Sequence, residues 1–365
     1  MKIFIYAPHF AEYSIRMALA LSDKGRVGLA VDRQNFALEC TPDLQQRARS
    51  RLELVPFRSR GRVQRWASLP QLVARILSFR PDVVHVQEQT DDLTVRVVSL
   101  VEKFHPIVLT VHDPKPHRGA DAAWAIRMTK YRERLRDMAD VFHVHGAVCQ
   151  AELASTLSRP RPIVPTCHGA ILVPTDEQRR DPERRRLLMF GRMEAYKGLE
   201  VLLDAVKILE GRGIDFRLVL AGRGSELDRL ADRIRSCASI EVIAGFLAPW
   251  EAVDEFQKAG IVVAPYLEAT QSGVVAAAFG NGRPVVASRT GGLVDAVCDG
   301  RSGLLVPPGD PLALAEALER LLADAGAWRR LLAGAQEEAV DSFSWSHVSA
   351  VLEEAYSSLV REWKA

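Results

Sequence analysis

Short apolar runs alternate with longer amphipathic stretches along the whole chain. In the first half, short and mainly apolar runs predict strands at residues 2–7, 27–31, 82–86, 107–111 and 141–144. The stretches between them, such as residues 13–23, have apolar residues at helical spacing. Strands that are buried on both faces and joined by helices are typical of a parallel sheet in an α/β domain.

A second series of the same kind follows a polar stretch. The sequence TDEQRRDPERRR at residues 175–186 is charged and contains a proline, which predicts a linker. Beyond it, strands are expected at residues 187–190, 216–220, 240–243, 261–264, 284–287 and 303–306. The fold class is therefore α/β, with two doubly wound Rossmann-like domains, residues 1–174 and 187–344, that face a cleft. Residues 345–363 predict a long terminal helix.

Composition supports two ordinary globular domains and argues against several classes of site. The chain has 365 residues, of which 48% are hydrophobic and 26% charged. It has neither a basic leader before an apolar run nor an apolar window of the ~18 residues that cross a bilayer, so we expect a cytoplasmic or peripheral protein. Five scattered cysteines predict reduced thiols, and nine histidines without ligand spacing predict no protein-held metal.

The charge is divided unevenly between the two halves. Residues 1–180 contain 27 Lys and Arg against 19 Asp and Glu, a net charge of +8, and the remainder has a net charge of −6. Arginines cluster at residues 45–66 and 127–136 among apolar residues, as in a surface that meets anionic lipid or an anionic acceptor. A solvated face is an equal alternative. Nucleic acid is not an expected partner, because no binding motif accompanies the charge.

Two loops have the residues that bind a diphosphate. After the predicted strand 187–190 come Arg192, Lys197 and Gly198 at the start of a helix, so that cations, backbone amides and a helix dipole lie together. The alternative is that both cations are solvated. The loop TQSG at residues 270–273 offers hydroxyl, amide and backbone donors, and Ser272 is expected to cap the next helix. We expect the two loops to converge. A nicotinamide cofactor is disfavoured, because AGRGSE lacks the complete dinucleotide fingerprint.

Five motifs of the C-terminal half occur in the order and spacing of a known family. They are GRMEAYKG, AGRGSEL, PYLEATQSG with GRPVVAS, TGGLVDAV and DGRSGLLVPPGDPLALAEAL. In these motifs the chain resembles the retaining glycosyltransferases of family 4, which have the GT-B fold. The match covers roughly residues 187–322 and is looser in the N-terminal half, through VLTVHD and ADVFHVH. On this resemblance we assign the terminal helix, about residues 345–365, to the N-terminal domain.

The resemblance also implies a role for individual residues. Arg192 and Lys197 would act on the donor diphosphate, and His112 would reach the transferred sugar. A structural histidine at a strand end is the alternative for His112. The implied donor-binding residues, which surround the nucleobase, the phosphates and the sugar, are Gly191, Phe246, Leu247, Thr270, Gln271, Ser272, Gly273 and Val274. Acceptor-side contacts are assigned more weakly to His9, Glu12, Tyr13, His117 and Arg118.

This sequence departs from the family pattern in two places. The family's pair of glutamates, expected on the sugar and on the ribose, aligns with Ala269 and Ala277, and Glu268 is one residue away. Thr270, Gln271 and Ser272 are the polar replacements at hand. The family's glycine pair after the first strand is replaced by APHFAEYS, so the contacts of that loop must also differ.

The resemblance predicts an enzyme that transfers a sugar from a nucleoside diphosphate sugar to a glycan or lipid-linked acceptor. No cofactor is expected, and the reaction would retain configuration by front-side displacement, with cations and amides stabilising the leaving diphosphate. Assembly of a bacterial polysaccharide or glycoconjugate at the membrane surface is the expected setting. The alternatives are an inactive nucleotide-sugar-binding protein, which would not hydrolyse donor, and a nucleotide-sugar epimerase of the same architecture, which would turn over donor without acceptor.

Overall fold

The computed structural model describes residues 1–59, 61–115 and 127–364. The chain divides into two compact units, each with its own apolar core. The N-terminal unit comprises Met1–Gly169 and Trp345–Ala365, and the C-terminal unit comprises Ala170–Ser344. Within the described ranges, no helix is both long enough and apolar enough to cross a membrane.

The N-terminal unit is built on a parallel sheet of seven strands in the order β3-β2-β1-β4-β5-β6-β7. The strands are β1 (Lys2–Ala7), β2 (Arg26–Asp32), β3 (Glu53–Phe57), β4 (Val83–Gln87), β5 (Ile107–Thr110), β6 (Val141–His145) and β7 (Ile163–Thr166). Its described helices up to residue 169 are α1 (Ala11–Leu21), α2 (Arg33–Glu39), α3 (Pro42–Arg51), α4 (Arg62–Phe79), α5 (Asp92–Val101), α6 (Thr129–Asp137) and α7 (Gly146–Ala154). The predicted parallel α/β architecture is confirmed.

Two strands of this sheet, β3 and β7, were not predicted. They form its two edges, and each contains a proline, Pro56 and Pro165 respectively. A proline cannot donate a ladder hydrogen bond, so it is tolerated at an edge strand but interrupts the apolar pattern by which a strand is recognised. The five inner strands are mainly apolar and contain no proline, and these were predicted.

The C-terminal unit has a parallel sheet of six strands in the order β10-β9-β8-β11-β12-β13. The strands are β8 (Glu183–Arg192), β9 (Arg217–Arg223), β10 (Ile240–Ala244), β11 (Ala259–Ala264), β12 (Val285–Ser288) and β13 (Gly303–Val306). The helices are α8 (Leu199–Gly211), α9 (Ser225–Arg229), α10 (Ala231–Arg235), α11 (Pro249–Lys258), α12 (Gly273–Gly280), α13 (Leu293–Ala296), α14 (Pro311–Ala323) and α15 (Ala325–Val340). Short 3₁₀ turns lie at Asp176–Gln178 and Ala195–Lys197.

The structure corrects the start of the second series of strands. Strand β8 begins at Glu183, so the last four residues of the predicted linker belong to the sheet. Its polar start is accommodated because Arg186 is buried with its guanidinium 2.6 Å from Glu255 of α11. A buried cation needs such a partner, and a run of arginines conceals a strand from an analysis of hydrophobic pattern.

The terminal helix α16 (Trp345–Lys364) belongs to the N-terminal unit. Its apolar stripe, which includes Val348, Leu352 and Leu359, is buried. The hydroxyl of Tyr356 on the same face hydrogen-bonds Nδ1 of His85 in β4. The helix is therefore held by both apolar packing and a buried polar contact.

The first helix is capped by a carboxyl group with a perturbed pKa. Phe10 at its N-cap supplies no side-chain acceptor, and the amide of Ala11 instead donates to Glu39 at 2.6 Å. Burial raises the pKa of Glu39 from 4.5 to about 7, and the nearby Glu12 and Asp32 act in the same direction. The folded protein thus retains a proton that the unfolded chain has lost at intermediate pH, so stability falls as the pH rises through this window.

Replacing Glu39 with glutamine is expected to remove this pH dependence while keeping an oxygen acceptor for Ala11. Between about pH 5 and about pH 8, wild type should lose roughly 3 kcal/mol of unfolding free energy more than Glu39→Gln does. Urea unfolding of both proteins at the two pH values measures the difference. The exposed Glu354 provides the control Glu354→Gln, which should follow wild type. Parallel curves for wild type and Glu39→Gln would contradict the assignment.

Candidate functional site

The cationic loop of the C-terminal unit connects β8 to α8. It runs from Gly191 through the 3₁₀ turn to Gly198, which has a φ of 70° and precedes the first residue of the helix. The ammonium nitrogen of Lys197 lies 3.8 Å from the centroid of the Tyr266 ring, a cation–π distance. The side chain of Arg192 is exposed at the end of the strand. Both cations thus lie at the carboxyl end of β8.

This loop packs directly against the loop that follows β11. The amide of Leu267 donates to the carbonyl of Tyr196 at 2.8 Å. Gly198 lies so close to Pro265 that an added Cβ would overlap the Pro265 carbonyl oxygen. Because β8 and β11 are neighbours in a parallel sheet, their carboxyl ends share one edge. The structure therefore brings the two loops together.

The TQSG loop leads into helix α12. Ser272 is its N-cap, with Oγ accepting from the amide of Val275 at 3.3 Å and donating to the Tyr266 hydroxyl at 3.4 Å. The prediction that Ser272 caps this helix is confirmed. The amides of Gly273 and Val274 belong to the first turn, where an α-helix leaves its N–H groups without intrahelical partners. They offer donors to an anion at the same edge as Lys197.

A third loop, which follows β12 and contains Gly291 and Gly292, packs against the β11 loop. Gly291 has a φ of 48° and lies against the carbonyl of Ala269, which also accepts from the amide of Gly292 at 3.3 Å. Thr270 is buried, and Oε1 of Gln271 is buried without a hydrogen-bond partner among the described residues. Backbone packing thus fixes the loop at Ala269. The side-chain oxygen of Gln271 remains a buried acceptor without a hydrogen bond among the described residues.

Neither of the two positions that the sequence analysis aligned with the family glutamates has a carboxylate. Ala269 occupies the first and Ala277, buried inside α12, occupies the second. Glu268 is exposed in the loop beside them. On that alignment, we expect recognition of the sugar and ribose hydroxyls to come from other groups.

The residues assigned to the nucleobase lie beyond strand β10. Phe246 and Leu247 occupy the connection between β10 and α11, and 60% of Phe246 is exposed. Both line a depression of about 360 Å³ that also includes Ile243 and Glu251. An exposed aromatic ring at the carboxyl edge of the sheet offers a stacking surface for a planar base.

In the N-terminal unit, His112 follows β5 and is only 3% exposed. Its Nε2 hydrogen-bonds Oε1 of Gln87 at 2.8 Å, and its Nδ1 lies 3.1 Å from Nε2 of His145. The Phe10 ring covers it with the two centroids 4.1 Å apart. Burial lowers the pKa of His112 well below its usual value, and the neighbouring histidines lower it further. At neutral pH the ring is therefore uncharged.

His112 is part of a histidine cluster that sequence reasoning missed. His145 at the end of β6 and His168 after β7 lie beside it, and both are buried. Burial lowers the pKa of His168 to about 4 and that of His145 well below its usual value. The available signal was the position of each histidine at a strand end, but using it required the order of the strands in the sheet.

The acceptor-side residues are placed as follows. Nδ1 of His9 lies 3.4 Å from the Asn35 amide nitrogen. The Glu12 carboxylate accepts from Arg16 at 2.8 Å, and Tyr13 is buried with its ring against the histidine cluster. His117 and Arg118 lie outside the described residues.

Residues 184–324 match the family model described as glycosyl transferases group 1. The D-inositol 3-phosphate glycosyltransferase of Corynebacterium diphtheriae is 31% identical over 212 residues, which cover 53% of this chain and 49% of that protein. The same enzyme of Corynebacterium aurimucosum is 33% identical over 281 residues, with 69% and 66% covered. The chain thus spans about half to two thirds of the length of these curated relatives.

The solved structures agree on the fold. The crystal structure of Anabaena HepE in complex with UDP matches 98% of this chain and 100% of its own, with a TM-score of 0.72 and 18% identity. At that identity the likeness shows the architecture alone, which is GT-B with its two Rossmann-like domains. The chain therefore has the GT-B fold and contains a glycosyl transferases group 1 domain at residues 184–324.

Proposed function

We propose that this protein is a retaining glycosyltransferase that moves a sugar from a nucleoside diphosphate sugar to a glycan or lipid-linked acceptor. The observation that carries the proposal is the meeting of the β8 and β11 loops, which puts Lys197 and the first turn of α12 at one edge of the sheet. A diphosphate is the ligand that matches cations and unused amides together. Arg192, at the end of the same strand, adds a second cation.

The proposed chemistry is a front-side displacement. The leaving diphosphate oxygen takes the proton of the acceptor hydroxyl while the new glycosidic bond forms on the same face of the sugar. Lys197, Arg192 and the α12 amides stabilise the negative charge that develops on the leaving group. The transfer needs no metal ion on the diphosphate, because these groups supply the positive charge. His112 has the sugar-contacting role that the family resemblance implies.

A uridine diphosphate sugar is the first donor to test. The HepE structures were solved with UDP and with UDP-glucose, and the relatives are named as inositol phosphate glycosyltransferases. The basic N-terminal half suits an anionic or lipid-linked acceptor and a peripheral position at the cytoplasmic face of the membrane, as in bacterial polysaccharide or glycoconjugate assembly.

A thermal-shift screen of the purified protein tests donor binding. UDP, GDP and a panel of their sugars are compared, and one of them should raise the melting temperature, since a ligand present at 100 times its Kd adds about 2.7 kcal/mol of stability. The donor so identified is then incubated with and without acceptors. Slow release of nucleotide that acceptor accelerates supports transfer. Turnover of the sugar without acceptor would indicate an epimerase, and binding without any turnover would indicate an inactive binding protein.

A further inference from the structure

Three imidazoles meet inside the N-terminal unit at the carboxyl edge of its sheet. His112, His145 and His168 come from the ends of β5, β6 and β7, which are neighbouring strands. One ring nitrogen of each lies within 4.8 Å of those of the other two, and all three side chains are buried. The N-terminal unit alone supplies this histidine site.

In two of these rings, one nitrogen donates a hydrogen bond to a protein oxygen, and the lone pair is therefore on the other nitrogen. Nε2 of His112 donates to the Gln87 oxygen at 2.8 Å, so the lone pair is on Nδ1, which faces Nε2 of His145. Nδ1 of His168 donates to the Gly169 carbonyl at 3.1 Å, which leaves Nε2 bare. A side-chain or backbone oxygen that accepts the second N–H of a histidine is the usual arrangement around a metal ligand, because it fixes both the tautomer and the ring orientation.

The third ring, that of His145, has only one of its two nitrogens in a hydrogen bond among the described residues. Nε2 of His145 lies 3.1 Å from Nδ1 of His112, and Nδ1 of His145 is buried without a hydrogen-bond partner among the described residues. If Nε2 carries the proton, Nδ1 is a bare buried acceptor. If Nδ1 carries it, two lone pairs face each other at 3.1 Å, close to the separation of about 3.3 Å between two nitrogens of a tetrahedral zinc ion. A cation that accepts these lone pairs removes the repulsion.

The surroundings suit a structural or inhibitory cation. The Tyr13 ring lies edge-on to all three imidazoles, with centroids 5.0 to 5.5 Å apart. The Trp345 ring packs against the Tyr13 ring, with the two centroids 4.9 Å apart. This aromatic shell restricts water. Phe10, whose ring covers His112, is 40% exposed and has a backbone φ of 55°, so the residue that covers this ring lies at the protein surface.

We propose that His112, His145 and His168 bind a borderline divalent transition metal such as Zn²⁺, with water or another ligand in the fourth position. Three neutral imidazoles favour Zn²⁺ or Co²⁺ over the oxygen-seeking Mg²⁺ and Ca²⁺. The expectation of no protein-held metal rested on spacing along the chain, whereas these three histidines are brought together by the order of the strands in the sheet. The three histidines belong to the N-terminal unit and the diphosphate loops to the C-terminal unit, and the proposed transfer does not use this ion.

Metal binding has a consequence that rests on the proposed function. An ion bound through Nδ1 of His112, whose Nε2 is held by Gln87, would prevent that ring from contacting the sugar. We therefore expect Zn²⁺ to inhibit transfer and a chelator to restore it.

Cobalt titration of the full-length, chelator-treated protein tests the site directly. One equivalent of Co²⁺ should produce the intense visible absorption of a tetrahedral site, Zn²⁺ should displace it, and Mg²⁺ should not. His168→Gln should lower the affinity by more than about 100-fold, and Gln87→Ala, which removes the carboxamide that accepts from His112, by about 10–100-fold. His105→Gln, which changes a histidine outside the cluster, should bind as wild type does.

Several results would overturn the proposal. The first is wild-type protein that gives no cobalt band and no stoichiometric binding, a result that no folding defect of a variant can explain. The second is a His168→Gln variant that folds and binds cobalt as wild type does. A failure of the proposed function gives a different result. In that case cobalt would bind as expected, but no nucleotide sugar would raise the melting temperature.

Discussion

Replacing Lys197 with methionine is expected to lower the rate of sugar transfer by about 10²–10³-fold, the usual effect of losing one group that stabilises developing charge. The ammonium is placed by the Tyr266 ring at 3.8 Å and by a turn that packs on the β11 loop. Methionine keeps the apolar stem and removes the charge, so the loop should keep its conformation. Donor binding and turnover are measured with the nucleotide sugar that the thermal-shift screen identifies.

The neighbouring carboxylate and a distant lysine provide the controls. Glu268→Ala removes an exposed charge from the adjacent loop, and Lys207→Met removes an exposed lysine from α8. Both variants should retain most of the activity, because neither residue lies where the leaving diphosphate is proposed to bind. Equal losses in Lys197→Met and Glu268→Ala would mean that the phosphate subsite is elsewhere.

The fold could be predicted from sequence wherever burial alone determines a strand. Inner strands such as β11 are buried on both faces, so they are mainly apolar along their whole length. The prediction missed strand segments that contain a proline or a charged residue, which the structure accommodates in other ways. Pro56 and Pro165 are tolerated at sheet edges, and Arg186 at the start of β8 is neutralised by Glu255.

The candidate donor site could be predicted because its chemistry is local in sequence. Lys197 and Gly198 are adjacent, and Ser272 caps the helix that it precedes. The histidine site was missed for the opposite reason. Its ligands are separated by 33 and 23 residues, and only the order of β5, β6 and β7 in the sheet makes them neighbours. Side-chain contacts across parallel strands depend on that order, which no local pattern contains.

Replacing Gly198 with alanine is expected to separate the two donor loops and abolish nucleotide-sugar binding. The residue has a φ of 70°, which costs an L-amino acid roughly 1–2 kcal/mol. In addition, its Cβ would overlap the Pro265 carbonyl oxygen, a backbone atom that cannot move without displacing the β11 loop. We expect a destabilisation of about 3 kcal/mol or more, which is at the high end for single substitutions.

Gly213→Ala separates the two causes. Gly213 has a φ of 69° in the turn after α8, and an added Cβ there has nothing within 4 Å. Its substitution should cost only the conformational penalty, roughly 1–2 kcal/mol, and leave donor binding intact. Urea unfolding and nucleotide-sugar titration of both variants measure the difference. If Gly198→Ala bound donor as tightly as Gly213→Ala, contact between the β8 and β11 loops would not be required for the diphosphate site. Loss of binding in Gly198→Ala alone would tie donor recognition to that contact, because the two variants share the backbone strain and differ only in the Pro265 clash.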